Sequence, residues 1–443
     1  MKTIANRAIS IIKFAIFFFS GIFPAHIACA NNLSVPIGTS SISADSEVTI
    51  QLVKRYQHYN AHPKDPADYY DQSINSPKSV HILDTKKKFY VNSLEGSTTS
   101  VYSLENFKLM KVITHDFNAA NQNLFAQHSN LNFSFKTKNN QLNYFTGKPV
   151  ESCFSHNGKY LWIPYYRRSY DHNAVDPSAV CIIDTDTDSI VRVMTIASLP
   201  KMIACSPDNN TIAVTHWGDN TVTLIDISSG KPEKFTYLDN IVIDHRLSLN
   251  YAANAKIDRD HNCGNCLRGT VFTPDSKYIF VGKMGGNGIA VLDVVNRKYL
   301  GTVTGMKTNM RHLVIKNSEL YISINKTGFV QKTALKDFID HFSAKSKEEP
   351  YTKWESAYVG LGARTITLDR TGKYLIAAVN NESKVVVVRT SDMKVIAECC
   401  ADSYPVGMDI SADGQWLIVT AQGKGGGKGG GNSVMVYKVN YKK

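Results

Sequence analysis

Five basic residues, Lys78, Lys201, Arg268, Arg311 and Arg364, occupy one equivalent position in five of seven repeats along a chain of 443 residues; the other two repeats carry Val150 and Val406 there. If the repeats close into a ring, these side chains meet at its axis and form a positive funnel whose low-dielectric walls strengthen the field. Arginine in such a place suits carboxylate or phosphate, which its planar fork binds through two parallel hydrogen bonds. The competing reading is structural, with each cation tying down neighbouring carbonyls. Glu151 and His312 follow the same position in their repeats. With Arg311 they resemble the acid/base and oxyanion-binding groups of a lactonase-like hydrolase or isomerase. Glu151 as a counter-charge and His312 as a packed hydrogen-bonding residue account for the same residues without catalysis. Tyr165, Tyr166, Arg167, Arg168, Tyr170, His216, Trp217 and Lys283 fall at the ends of second strands on the same side. Aromatic and cationic groups together suit a sugar, a cyclic ligand or a single-stranded nucleic acid, or else serve as rim packing.

Cysteine usage adds a second set of candidates. Cys153, Cys181 and Cys205 lie in strand-like runs and are expected to be buried thiols. Cys263 and Cys266 lie in a loop, on the surface, and are expected to form a local disulfide. His261 with this pair is a weak alternative as a metal site, two ligands short of what zinc needs if only the cysteines count. A c-type haem site would need His at 267, where Leu267 stands. Cys399 or Cys400 could instead join the loop. No cofactor is expected.

The elements that must position these residues are legible as a repeat. Cys205 to His216 runs on to Thr221–Gly230, and Phe272 to Lys283 runs on to Gly288–Val294; further copies start near Ile82, Phe154, Ile315, Leu368 and Ile410. Each has a Ser/Thr-Pro-Asp-Gly-like turn, a strand, a polar gap and a strand ending in Ile-Asp or its equivalent. A repeat of about 40–50 residues with four short strands predicts an all-β fold, a seven-bladed β-propeller of four-stranded antiparallel blades. Strand A is innermost and D outermost. The A–B and C–D turns are short, and the insertions His115–Lys148, Tyr166–Ser178, Asp239–Leu267, Thr333–Gly362 and Ala421–Ser433 are expected on the other face, with the funnel. The glycine-rich stretch Gly423–Gly431 reads as a basic lid or linker, since it lacks the helix-opening Lys-Ser/Thr of a phosphate loop.

The last repeat stops one strand short, while Glu47–Lys54 has strand character and no partner of its own. This segment is expected to supply the missing outer strand, so that the termini close the ring and no edge stays open. The domain reading is therefore a signal peptide over 1–30, an N-terminal segment over 31–76 with the closing strand at about 47–54, and the propeller over 77–443.

Tyr90-Val91-Asn92-Ser93 and Ala213-Val214-Thr215-His216 resemble the Tyr-Val-Thr-Asn signature of the YVTN-repeat propellers, the YncE-like periplasmic group, and Ser206-Pro207-Asp208 and Leu224-Ile225-Asp226 match that family's repeat. The resemblance covers roughly residues 77–439. It implies the lactonase and quinoprotein-like propeller superfamily, which also includes haem reductase domains, DNA-binding and cell-surface proteins. Fold analogy alone therefore leaves the function open.

The N-terminus has a basic start, an apolar run from Ile9 to Phe23 and the small-x-small triplet Ala28-Cys29-Ala30, the pattern of a secretory signal. Cys29 also offers a faint lipoprotein pattern, in which it would be acylated. Removing residues 1–30 takes away Lys2, Arg7 and Lys13 and no acidic residue, which lowers the formal charge from +12 to +9. An exported protein this basic expects an anionic partner. The combined expectation is a monomer in the periplasm or on the surface of a Gram-negative-type bacterium. It binds an anionic or polar small molecule, a glycan or a protein partner on the decorated face; sequence-independent DNA binding is a further alternative.

Overall fold

Near-continuous apolar runs such as Tyr374–Val379, buried at every position, make strands covered on both faces, and seven such sheets stack around one axis. The computed structural model describes residues 29, 34–125, 143–248, 255–344, 348–423 and 431–442. The proposed signal stretch lies outside these residues apart from Cys29, as does most of the glycine-rich loop. Blade 3 is representative, with strands Pro200–Cys205, Thr211–His216, Thr221–Asp226 and Thr236–Val242 in sequential antiparallel order. Blades 1, 4, 5 and 6 repeat that order. Between blades, apolar side chains interleave; Val101, Ile163 and Val193, for example, are wholly buried in one cluster shared by blades 1 and 2. A single sheet could not hide both faces in this way, so the ring is the unit of stability.

Blade 7 is completed from the N-terminus. Val48–Gln57 pairs antiparallel with Ser433–Tyr441, from Val48 opposite Tyr441 to Gln57 opposite Ser433. The strand is three residues longer than expected at its end. It is also buttressed, by Ser40–Ile42 on its outer side and by Asp68–Tyr70 running parallel to Arg55–Gln57. Arg55, 5% exposed, clamps this closure: its guanidinium pairs with Asp68 and with Asp402 at 3.1 Å, and donates to the Val35 carbonyl at 2.8 Å. Asp402 also accepts from the Val35 N–H and from Ser433 Oγ, so one buried carboxylate joins three chain segments.

Three expectations about position change. The insertion Thr333–Gly362 connects strand C of blade 5 (Phe329–Ala334) to its strand D (Glu355–Tyr358), which puts it on the face opposite the funnel. It carries a helix, Leu335–Ser343, whose Leu335, Phe338 and Phe342 pack on blade 4 around Phe280 and Tyr278. Cys263 is buried and Cys266 half-buried, whereas Cys153 and Cys205 are half-buried. Innermost strands face the open channel on one side, so strand placement does not bury these two thiols. Cys181 and Cys399 are buried thiols.

Cys263 and Cys266 bond each other, which takes their sulfurs from any metal set with His261. Among the described residues no group of three or more His, Cys, Asp or Glu side chains is placed to hold a metal ion. Cys400 bonds Cys29 and not the loop pair. A sulfur so bonded has no valence for acylation, and cleavage after Ala30 would remove the bond, whereas cleavage just before Cys29 would keep it.

Replacing Arg55 by Met should destabilise the protein by about 3–5 kcal/mol, since it leaves two buried carboxylates without their cation. Chemical denaturation checks this. A loss below about 1 kcal/mol would mean that strand pairing alone holds the ring.

Candidate functional site

Six of the seven innermost strands start at the channel mouth with a break in their pairing; Cys153–Ser155 of blade 2 pairs without one. In blade 1 Pro77 opposes Ser93 and Ser79 opposes Asn92, so Lys78 is the extra residue of a β-bulge. The same shift sets Lys201 apart between Pro200 and Met202, Arg311 between Met310 and His312, and Val406 between Pro405 and Gly407. Arg268 and Arg364 lie in the equivalent shifts of blades 4 and 6. A bulge re-aims the side chain of its extra residue and twists the strand. Six repeated bulges thus turn the same register position toward the mouth. Adjacent inner strands approach closely there: a Cβ on Gly407 would stand 2.5 Å from the Lys78 carbonyl oxygen, and one on Gly269 would stand 2.5 Å from Leu313.

The five cations converge. Burial lowers the affinity of Lys78 for its proton, and the positive charges of Arg364, Arg268, Arg311 and Lys201 lower it further, well below the usual lysine value. Burial likewise brings Lys201 down to about 7 and Arg364 to about 10, the latter with Arg268 adding to the effect. Arg311 is pushed well down by burial, then by Arg364 and Arg268.

Two acidic groups answer this charge. Arg268 Nη2 donates to Glu151 Oε1 at 3.0 Å, and Lys201 Nζ donates to Asp260 Oδ1 at 2.6 Å. Lys201 Nζ also stands 4.6 Å over the Tyr166 ring and 4.5 Å over that of Trp217, a cation between aromatic faces. Lys78, Arg311 and Arg364 form no ion pair among the described residues. Lys78 reaches Gln422 at 3.4 Å, and Arg364 stands 5.8 Å over the Tyr404 ring. Arg311 makes only a weak contact with the Met284 sulfur at 3.8 Å, and its Nε is buried without a partner.

Beneath the mouth lies a channel cavity of about 370 Å³, walled by the inner strands of all seven blades. Its lining begins one residue after the bulges, with Glu151, His312 and Thr365, and includes His81, Cys153 and Asp409. Burial holds His312 and His81 down to about 4, so both are neutral at pH 7. His312 Nδ1 accepts the Ile366 N–H at 3.2 Å, which puts the ring proton on Nε2. The lone pair that a general base needs is therefore occupied. Glu151 is held by Arg268, so the acid/base pair is committed to structure and charge balance.

The other expected contact residues divide. Tyr166 and Trp217 join the rim through Lys201, and Trp217 Nε1 donates to the Asp260 carbonyl at 3.1 Å. Tyr165 is fully buried against His115 at 3.0 Å and against Phe117 and Phe145, away from the mouth. His216 is fully buried and its Nδ1 bonds Thr221 at 3.1 Å; Lys283 is buried on Asp244 at 2.6 Å. Arg168 is buried over the Phe145 ring. These side chains point between blades because strand residues alternate faces, and the one-residue step from Tyr165 to Tyr166 decides core against rim. Asp260 and Tyr404 escaped the sequence reading, since each reaches the mouth from a loop outside the repeat.

No protein-family model matches the chain, and no curated protein matches it. Solved structures do share the fold. The β-propeller domain of Cps50 (Swd1) from Myceliophteria thermophila is 11% identical, with a TM-score of 0.55 over 82% of this chain and 97% of that one. Hydrazine synthase from Kuenenia stuttgartiensis is 12% identical, with a TM-score of 0.56 over 86% of this chain and all of that one. At such identities the likeness concerns fold alone, and the chain is a seven-bladed β-propeller.

Two stability measurements probe the site. Arg311→Met should raise the melting temperature in anion-free buffer, because it removes a desolvated cation from a cluster of like charges; a fall of several degrees would instead make Arg311 a structural strut. Burial raises the Asp409 carboxyl to about 7, so the folded state keeps a proton that the unfolded chain releases near pH 4. The unfolded state then binds fewer protons across pH 4–7, and stability from this group falls as pH rises through that window. Asp409→Asn should lose this component, and the variant should gain relative to the parent by a few kcal/mol between pH 4 and 7, at ~1.4 kcal/mol per unit. Parallel pH–stability curves would refute the assignment.

Proposed function

We propose that the protein is an exported propeller, a member of the YVTN-repeat group, that binds a multiply charged anion at the channel mouth. The observation that carries this reading is the cluster of five bulge-borne cations answered by two carboxylates. Burying like charges together is costly, and a carboxylate or phosphate ligand supplies the missing counter-charge. Arg311, with its unpaired buried Nε, and Arg364, with its fork free of carboxylates, are the natural anchors; a bound anion would offset the burial and neighbouring charges that lower the proton affinity of Lys78 and favour its ammonium form. Tyr166, Trp217 and Tyr404 provide flat apolar surface beside the charges. The ligand is held, not transformed, since His312 and Glu151 are both spent on other partners. Export rests on the basic and apolar start of the chain, with cleavage just before Cys29 preserving its bond to Cys400.

Titration with citrate and with inorganic phosphate at low ionic strength tests the site. The parent should bind one equivalent. Replacing Arg268, Arg311 and Arg364 together by Gln should cost several kcal/mol, at roughly 1.5–3 kcal/mol for each charged hydrogen bond, and affinity should fall as salt screens the cluster. Unchanged affinity in the triple variant would remove the mouth as the binding site.

A further inference from the structure

A second recess lies on the outer wall of the ring, away from the axis, where the N-terminal strand of blade 7 meets the C–D turn of blade 1. It has a volume of about 490 Å³, within the range of small-ligand sites. Three tyrosines, Tyr56, Tyr69 and Tyr70, form one side, and Asn106, Phe107 and Lys108 form the other. Tyr69 and Tyr70 are 41% and 43% exposed, unusual for adjacent large rings on a surface strand. They are not loose. Tyr69 stacks on Tyr56 at 5.6 Å between centroids, and Tyr56 packs on the buried Tyr102 at 4.8 Å, so the exposed ring is backed by the core.

The charge in this recess is net positive, two lysines against one carboxylate. Lys54 Nζ stands between two rings, 5.0 Å from Tyr69 and 5.6 Å from Phe107, and neither Lys54 nor Lys108 has an ion-pair partner among the described residues. Asp71, the one acidic lining residue, is fully engaged: Oδ1 accepts from the Ser73 N–H at 2.9 Å and from Ser73 Oγ at 2.6 Å, and Oδ2 accepts from Tyr102 at 2.7 Å. Gln72 adds an exposed side-chain amide at the rim. Rigid exposed aromatic faces take the C–H face of a pyranose, amides take hydroxyls, and two lysines without ion-pair partners take a carboxylate.

We propose that this recess is a binding site for acidic carbohydrate, a uronate-containing glycan, distinct from the anion site at the channel mouth. A ring stacked on Tyr69 and Tyr70 would direct its carboxylate toward Lys54 and Lys108. An aromatic peptide would use the rings but not the charges, and a simple anion would use the charges but not the rings; the uronate uses both.

Calorimetric or NMR titration of the full chain with trigalacturonate, and with the same trisaccharide methyl-esterified, tests this. The acidic trisaccharide should bind. Esterification, Tyr70→Ala and Lys108→Gln should each weaken binding at least fivefold, and both substitutions are at exposed positions that leave the fold intact. Arg311→Gln at the channel mouth should leave this affinity unchanged. Absence of binding, equal binding of the ester, or a loss confined to the Arg311 variant would overturn the proposal, the last by assigning the probe to the mouth.

Discussion

Everything at the axis depends on a pairing made at the rim. The ring closes because Val48–Gln57 adds itself to Ser433–Tyr441, joining the two ends of the described chain in one sheet. Without that strand blade 7 would present an open edge, and the interleaved packing that fixes the angle between blades would lack one boundary. The pairing is locked by chemistry that strands alone do not have. Arg55, carried on the incoming strand, meets Asp402 from the crossing between blades 6 and 7 and Asp68 from the segment that follows it. A buried ion triad adds little net stability against a hydrophobic equivalent, but it tolerates no other register of the strand.

Closure then forces together residues that are far apart in sequence. Lys78 and Arg364 come from the first and sixth repeats, yet the charge of Arg364 weakens the hold of Lys78 on its proton. The bulges make this possible at little structural cost. A residue set aside from the ladder gives up few backbone hydrogen bonds and contributes no face to the interblade core, so its side chain is free to vary. Energy stored in like charges at the mouth is held in place by the burial of whole blades elsewhere, the usual relation between a rigid scaffold and a strained site.

How much of this could be read beforehand follows from the same geometry. Blade number, strand order and the donated strand were legible because each repeat carries its own turn chemistry, and because a missing strand and a spare one must match. The five funnel residues were legible as one aligned position. The bulges behind them were not, since an extra residue leaves no trace in strands that are apolar on both faces. Thr333–Gly362 was placed on the wrong face because strand D of blade 5, Glu355–Tyr358, is short and mostly exposed, so no apolar pattern marked it beyond the helix. Tyr165, His216 and Lys283 stand one step from rim positions, and period two sends that step into the core. Asp260 and Tyr404 come from loops, where repeat alignment has no purchase.

The arrangement also limits what the two acid/base candidates can do. A general base needs a free lone pair and a proton affinity near the working pH. His312 has neither: the Ile366 N–H occupies its Nδ1, and burial keeps the ring neutral far below pH 7. Glu151, the other acid/base candidate, is the counter-ion of Arg268, and freeing it for chemistry would leave that buried guanidinium unpaired. What remains uncommitted at the mouth is the charge of Arg311 and Arg364, which form no ion pair among the described residues. Guanidinium groups can hold an anion but do not move its protons, whereas the same burial that lowers Lys201 to about 7 leaves its ammonium, bound to Asp260, able to exchange a proton near neutral pH.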